Sequence, residues 1–210
     1  MPGSAKTDRR TGVQSHPLLV VISGPSGVGK DALLDVLKSR GRPYHFAITA
    51  TTRPSRGAEM DSRDYYFLTP DRFEEMAATG ELLENALVYG YRYGVPKGPV
   101  RQALAGGCDV LMRTDIQGAA TIKGTIPQAV TIFLAPASLA DLEERLRRRA
   151  TDAQETVRLR LDTARREMDA AGHFDYVVVN AEGRLEEAAD QVERIIAAER
   201  ARPERSAPVV

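Results

Sequence analysis

The stretch Leu18-Leu19-Val20-Val21-Ile22-Ser23-Gly24-Pro25-Ser26-Gly27-Val28-Gly29-Lys30-Asp31 decides how the chain is read. It runs from apolar residues into a glycine-rich turn and then into a lysine that opens a helical pattern. That order builds a phosphate cradle. Backbone N–H groups surround the anion, a helix N-terminus stands behind it, and the lysine reaches the β- and γ-phosphates. Gly24, Gly29 and Lys30 complete the pattern G-x-x-x-x-G-K, so Gly24, Pro25, Ser26, Gly27, Val28, Gly29 and Lys30 are candidate nucleoside-triphosphate contacts. A glycine turn of purely structural use is the competing reading. The apolar strand before the loop and the helix after it argue against that.

Asp31 stands where a Ser or Thr hydroxyl usually meets Mg²⁺. A carboxylate ~4 Å from a phosphate charge costs about 4 kcal/mol at an effective dielectric of about 20. A Mg²⁺ between the two reverses the sign, because hard cations favour both kinds of oxygen. Two roles therefore stand open for Asp31. It holds the metal, directly or through water, or it only complements the helix dipole.

With 210 residues the chain reads as one domain with a sizeable core. Acidic and basic residues number 29 each, so no net charge draws it toward nucleic acid or membranes. The single cysteine, Cys108, allows no internal disulfide and suits a reducing cytoplasm. No apolar run approaches the ~20 residues of a membrane span. Residues 1–16 lack an apolar segment and read as a tail, as do residues 201–210 with their two prolines.

Apolar β-branched runs alternate with amphipathic stretches. Strands are expected at Leu18–Ser23, Phe46–Thr52, Asp109–Arg113, Ala129–Leu134 and Tyr176–Val179, the last one buried. Helices are expected at Lys30–Ser39, Pro99–Ala105, after Gln117, Ser138–Arg149 (capped by Ser138), Gln154–Ala171 and Leu185–Arg200. This rhythm predicts an α/β fold, a parallel sheet with helices on both faces. A polar insert interrupts it. Within the insert, short strands are expected at Tyr65–Leu68 and Leu82–Tyr89, a helix at Pro70–Thr79, and a loop at Gly90–Gly98.

The insert carries a second constellation: Thr49, Arg53, Arg56, Tyr65, Glu84 and Tyr93. Two arginines three apart suit a doubly charged phosphate through their forked donors. Tyrosine hydroxyls add neutral donors. Glu84 interrupts the apolar run Leu82-Leu83-Glu84-Asn85-Ala86-Leu87, and a lone acid there needs partners. A guanine edge, with two adjacent N–H donors, satisfies a carboxylate; adenine presents an acceptor at the same ring nitrogen. Taken singly, the arginines read as a solvated pair and the tyrosines as packing. Their clustering after a phosphate loop favours a site. His16, His45 and His173 show no metal-ligand spacing. Arg147 and Arg148 read as a solvated charged face.

From Leu18 to about Arg200 the chain resembles the guanylate kinases. The residues carrying the resemblance are Gly24–Lys30, Thr51-Thr52-Arg53-Pro54-Ser55-Arg56 with Glu59, Asp64-Tyr65-Tyr66-Phe67, and Gly80-Glu81-Leu82-Leu83-Glu84. Tyr93-Gly94, Asp115-Ile116-Gln117-Gly118-Ala119 and Val177-Val178-Val179-Asn180 complete the set. The resemblance implies a P-loop NTPase-type fold with core 17–48, 97–137 and 165–200, a GMP-binding insert at 49–96 and a helical lid at 138–164. It implies transfer of the ATP γ-phosphoryl group to GMP or dGMP in purine metabolism, with Mg²⁺. Arg53, Arg56, Tyr65 and Tyr93 would bind the GMP phosphate, and Glu84 with Thr49 would read guanine. Asp115 would lie near the base and Lys30. Arg145, Arg149 and Arg160 would contact ATP from the lid and its flanks, and Asn180 would lie on the adenine side.

The chain departs from the family pattern at Asp31, at Val95 (a hydroxyl residue is usual), at Arg113 (an aspartate is usual) and at Ala150 (a glycine is usual). A branch similar to plant-organelle guanylate kinases shares Gly-Lys-Asp and Arg-x-Asp. Two other readings compete: a ribose 1,5-bisphosphate kinase of related sequence, which has no use for a guanine-reading insert, and a peptide-binding guanylate-kinase-like domain, which typically lacks the phosphate loop.

Overall fold

The computed structural model describes residues 16–88, 90–148, 154–203 and 205–210, without the side chains of 154–160. Its centre is strand β1 (Leu19–Ser23), every residue of which is buried. β1 pairs in parallel with β7 (Asp109–Arg113) on one edge and β8 (Val130–Pro136) on the other. With β2 (Tyr44–Phe46) and β9 (Tyr176–Asn180) outside them, the order is β2-β7-β1-β8-β9, all parallel. Such a sheet is covered on both faces, which is why β1 is a continuous apolar run rather than an alternating one.

Leu18, Val20 and Ile22 face one layer, formed by α1 (Lys30–Ser39) through Leu33, Leu34 and Leu37, and by α7 (Leu185–Arg200) through Ala188, Ala189, Val192 and Ile196. Leu19 and Val21 face the other, with Val100 and Leu104 of α3 (Lys97–Ala105) and Ala119 and Ile122 of α4 (Ile116–Thr125). Val95, the apolar residue at a usual hydroxyl position, is buried in this second layer. β9 differs from expectation. As the edge strand it buries Val178 and Asn180, while Val177 and Val179 face out.

The insert forms its own four-stranded sheet, β4-β3-β6-β5. The single strand expected at Phe46–Thr52 is divided between the two sheets. β2 ends at Phe46, Ile48 and Thr49 lead across, and β3 (Ala50–Thr51) starts the second sheet. β4 (Tyr66–Phe67) runs parallel to β3. Helix α2 (Pro70–Ala78) begins at Thr69, whose hydroxyl accepts the Arg72 N–H at 3.3 Å.

The segment expected as a loop after Gly90 is instead strand β6 (Tyr91–Pro96), which pairs antiparallel with β3 and with β5 (Leu82–Val88). Gly94 and Pro96 resemble turn signals, but Gly94 has a packing reason. A Cβ there would sit 2.8 Å from the Glu84 carbonyl and 2.9 Å from Leu82. Glycine inside a strand marks such a close backbone approach.

Helices α5 (Leu139–Arg148) and α6 (Gln154–Asp169) pack through Leu142, Leu146, Leu161 and Ala164. The Ser138 hydroxyl accepts the Asp141 N–H at 3.1 Å, the expected cap. Residues 205–210 carry no helix or strand, yet they are docked rather than loose. Arg101 donates to the Val210 carbonyl at 3.0 Å, Pro208 is buried, and Arg205 pairs with the buried carboxylate of Glu199.

The insert core is small: Ala50, Phe73, Met76 and Leu82. Phe73 is fully buried there. Phe73→Ala is expected to cost about 3–5 kcal/mol locally. Hydrogen exchange should rise across 50–96 and leave β1, β7 and β8 protected; uniform loss of protection would mean that the insert is not a separate packing unit.

Candidate functional site

Ligands of open α/β sheets bind beyond the carboxyl ends of the strands, where the strand order reverses. Here that place is the end of β1. Gly29, at φ 101°, is the N-cap of α1, a conformation that favours glycine. The Lys30 ammonium folds back over the loop, donating to the Gly24 carbonyl at 2.5 Å and the Pro25 carbonyl at 3.2 Å. Burial pulls its pKa below the usual lysine value, against the opposing charge of Glu167. The Ser26 N–H points at the Glu167 carboxylate, 3.4 Å away. Burial also raises the Glu167 pKa.

Asn180 donates to the Val28 carbonyl at 2.8 Å. Arg145 reaches across from α5 to the Asn180 carbonyl at 2.7 Å, the Val28 carbonyl at 3.3 Å and Glu182 at 3.0 Å. Asn180, Arg145 and Glu182 line an open cavity of about 370 Å³ together with Gly27, Gly29 and Arg148. Asn180 and Arg145 thus stand beside the phosphate loop. Arg145 is engaged with three partners, so a role at the transferring group requires it to leave them. Arg149 lies outside the described residues, and Arg160 is placed only by its backbone in α6. Ala150 also lies outside them.

On the insert, Arg53 is buried and held by Glu59 in a two-pronged pair, with both N···O distances 2.8 Å. That pair, with smaller help from Tyr93, raises the Arg53 pKa further above its usual value. The guanidinium carbon lies 5.0 Å from the Tyr65 ring centre. Glu59 also accepts the Arg56 N–H at 2.7 Å, while the Arg56 side chain is exposed. Tyr65 and Tyr93 meet edge to face at 6.4 Å. Arg53, Tyr65 and Tyr93 are therefore one group, to which Arg56 is tied through its backbone and Glu59.

Glu84 lies on β5 and is 5 % exposed. Among the described residues it forms no ion pair. Burial, then the neighbouring Asp115 carboxylate, push its pKa up to about 8, against a hydrogen bond with Thr114. Asp115 is the N-cap of α4 and accepts the Gly118 N–H at 2.7 Å. Gly118 makes room for the acid: a Cβ there would lie 2.6 Å from Glu84 Oε2 and 2.1 Å from Thr114 Oγ1. Thr49 is buried at the crossing between the two sheets.

Asp31 is paired. Its Oδ1 lies 2.6 Å from Nε of Arg113, at the carboxyl end of β7. The Arg113 guanidinium carbon is also 5.0 Å from the Tyr65 ring centre. Sequence reasoning noted both residues as departures and missed that they meet. It also gave no role to Glu59, Glu167 or Gly118. The spacing x-Asp-x-Gln-Gly after a strand could have flagged Gly118. The Arg113 pairing could be found only by knowing that β7 lies beside β1.

The shift at Glu84 carries a stability consequence. Its folded pKa lies above the ordinary 4.5, so its contribution is full below pH 4.5 and is lost as pH rises to about 8. Glu84→Gln should remove that slope and give a higher Tm than the parent at pH 9; parallel Tm–pH curves would contradict the buried, neutral acid.

Comparisons with known proteins match the chain as a whole. The family model for guanylate kinase matches residues 16–199. The chain is 48 % identical over 188 residues to "Guanylate kinase 2, chloroplastic/mitochondrial" of Oryza sativa subsp. japonica, covering 89 % of this chain and 66 % of that protein. It is 47 % identical over 183 residues to the guanylate kinase of Gloeobacter violaceus, covering 86 % and 88 %. The crystal structure of guanylate kinase from Anaplasma phagocytophilum superposes with a TM-score of 0.73 at 32 % identity, covering 93 % of this chain and 92 % of that one. Matched by the family model over nearly its whole length and by relatives at 47–48 % identity, the chain belongs to the guanylate kinase family.

Proposed function

We propose that the protein transfers the γ-phosphoryl group of ATP to the phosphate of GMP or dGMP, giving ADP and GDP or dGDP. The observation that carries the acceptor is Glu84, a buried acid with no ion pair among the described residues, beside Thr114 and Asp115 where β7, the neighbour of the phosphate-loop strand, ends. It would take the two N–H groups of guanine, with Thr49 beside it. Arg53, Arg56, Tyr65 and Tyr93 would hold the GMP phosphate. An anionic phosphate needs no strong general base, so the protein's task is alignment and charge neutralisation. Lys30 and the loop amides would hold the donor phosphates. Asn180 and Arg145 would meet the adenosine side. Closure of the segment 138–164, with Arg149 and Arg160, would shield the transfer from water.

Mg²⁺ would accompany ATP and screen its phosphates. Among the described residues no group of three or more His, Cys, Asp or Glu could hold a metal ion. Asp31 has one oxygen committed to Arg113. The described residues thus offer no cage, and Asp31 fits poorly as a direct ligand; it would reach the ion at most through water. Substrate phosphates and water commonly supply most of the oxygens around Mg²⁺.

No helix among the described residues is long and apolar enough to cross a membrane. Neither a nucleic acid nor a membrane is needed as partner, and a single free thiol suits the cytoplasm. The ribose 1,5-bisphosphate and peptide-binding readings gain no support, since the family model and the similar proteins are guanylate kinases and the phosphate loop is intact.

A panel of GMP, dGMP, AMP and ribose 1,5-bisphosphate tests the reading, and absence of GMP turnover overturns it. Glu84→Gln should lower kcat/KM for GMP by about 10²-fold or more, because it pairs a donor with a donor. The Kd for ATP should stay within about threefold, and equal losses would contradict the guanine role. Lys30→Ala should abolish turnover while GMP still binds.

The raised pKa also fixes a sign. At pH 7 the empty site holds neutral Glu84, whereas guanine needs the carboxylate, so binding expels a proton. GMP affinity should rise with pH up to about 8 and level off above it. Calorimetry in two buffers of different ionisation enthalpy would measure the released proton; no release would exclude this binding mode.

A further inference from the structure

Two features of this chain that look like separate anomalies are one structural unit. The residue after the phosphate-loop lysine is acidic, and a strand beside the loop ends in an arginine. The two side chains meet at 2.6 Å, with Arg113 18 % and Asp31 70 % exposed. The guanidinium is the more enclosed partner, so the pair is a held arginine with an accessible counter-ion. Arg113 also lies against Tyr65, which has Arg53 at the same 5.0 Å distance. Tyr65 therefore has a guanidinium from the insert and one from the core sheet beside it. On the donor side, its partner Asp31 is the chain neighbour of Lys30, the first residue of α1. Arg113 thus links the residue beside the donor's lysine to the acceptor group's tyrosine.

Chemistry gives that place a meaning. Transfer brings two anionic phosphates together. An oxygen of the acceptor phosphate forms a bond to the γ-phosphorus, and the bond from that phosphorus to the β–γ bridging oxygen breaks. The electron pair leaves with ADP. Negative charge concentrates between Lys30 and the arginine–tyrosine group, and a fixed forked cation there lowers the barrier. A metal-binding Asp31 fits less well. A guanidinium on its carboxylate competes with a cation for the same oxygens, and the two positive charges repel.

We propose that Arg113 is a phosphate-contacting residue of the transfer site, spanning donor and acceptor, and that Asp31 positions it rather than ligating Mg²⁺. The inference rests on the proposed phosphoryl transfer to GMP. Arg113 supplies from the protein a charge next to the migrating group. Asp31 fixes the direction of the fork and, being exposed, can yield when phosphate arrives.

The experiment uses Arg113→Met, Arg113→Lys and Asp31→Asn in the full chain. Its readouts are kcat, KM for GMP, and calorimetric ATP binding across a Mg²⁺ series. Arg113→Met should lower kcat by about 10²-fold with the Kd for ATP within about threefold. Arg113→Lys should restore part of the rate, since charge returns without the fork. Asp31→Asn should lower kcat by about tenfold and leave the Mg²⁺ concentration for half-maximal ATP binding unchanged. Near-parental kcat in Arg113→Met overturns the contact. A several-fold higher Mg²⁺ requirement in Asp31→Asn overturns the positioning role and makes Asp31 a metal ligand. If Arg113→Met falls below the parent in thermal stability, the Arg113→Lys rate and the Mg²⁺ series of Asp31→Asn decide the matter. Failure of the parent protein itself to phosphorylate GMP is a different result and counts against the proposed function.

Discussion

Everything at the site follows from one constraint: strand β1 is paired on both edges and covered on both faces. Its backbone bonds are spent on β7 and β8, and its side chains on two helical layers. The chain can do something other than pack only where the strand ends. There the glycine-rich loop leaves the sheet, and α1 starts with its amides exposed. Because β7 is the neighbour of β1, Arg113, Thr114 and Asp115 emerge at the same rim. Because β8 is the other neighbour, β9 and Asn180 come up beside the loop.

The charges gathered at that rim are held before any ligand arrives. Arg53 rests on Glu59, Arg113 on Asp31 and Arg145 on Glu182, while Lys30 lies on loop carbonyls. Each cation is thus oriented without being neutralised by a deep, irreplaceable partner. Arg53 is the extreme case, buried with a half-exposed carboxylate. Glu84 is the opposite case, an acid buried with another acid nearby and kept neutral by that environment. Cations aimed by carboxylates and, among the described residues, an acid with no ion pair are opposite arrangements of charge at one rim.

Much of this was legible in the sequence. The parallel core followed from the period of the apolar runs, and the phosphate loop from its flanking strand and helix. Glu84 was visible as an acid in an apolar run, and the arginines and tyrosines through their clustering in one insert after a phosphate loop. What escaped had physical reasons. β6 was hidden by Gly94 and Pro96, whose usual meaning is a turn, and only the nearness of the Glu84 backbone explains the glycine. β9 looked buried because its valines are apolar, although an edge strand presents one face outward. The Asp31–Arg113 pair joins residues far apart in sequence, and no local pattern encodes it. The docking of residues 205–210 likewise depends on Glu199 and Arg101, contacts that composition does not announce.

The pairing of β1 has a consequence for how the protein is made. Leu19 pairs with Val110 and Val20 with Val130, so the first strand's partners lie 110 − 19 = 91 and 130 − 20 = 110 residues downstream. Chains emerge from the N-terminus, and contacts of such long range form slowly. The most apolar strand of the protein is thus synthesised first and completed late. Meanwhile the insert, whose paired strands β5 and β6 are near neighbours in sequence, can assemble from local contacts. Until β7 arrives, β1 presents two open edges, the form most prone to pairing with the wrong chain. Shielding of the nascent chain over that interval, rather than the stability of the finished sheet, would then limit the yield of folded protein.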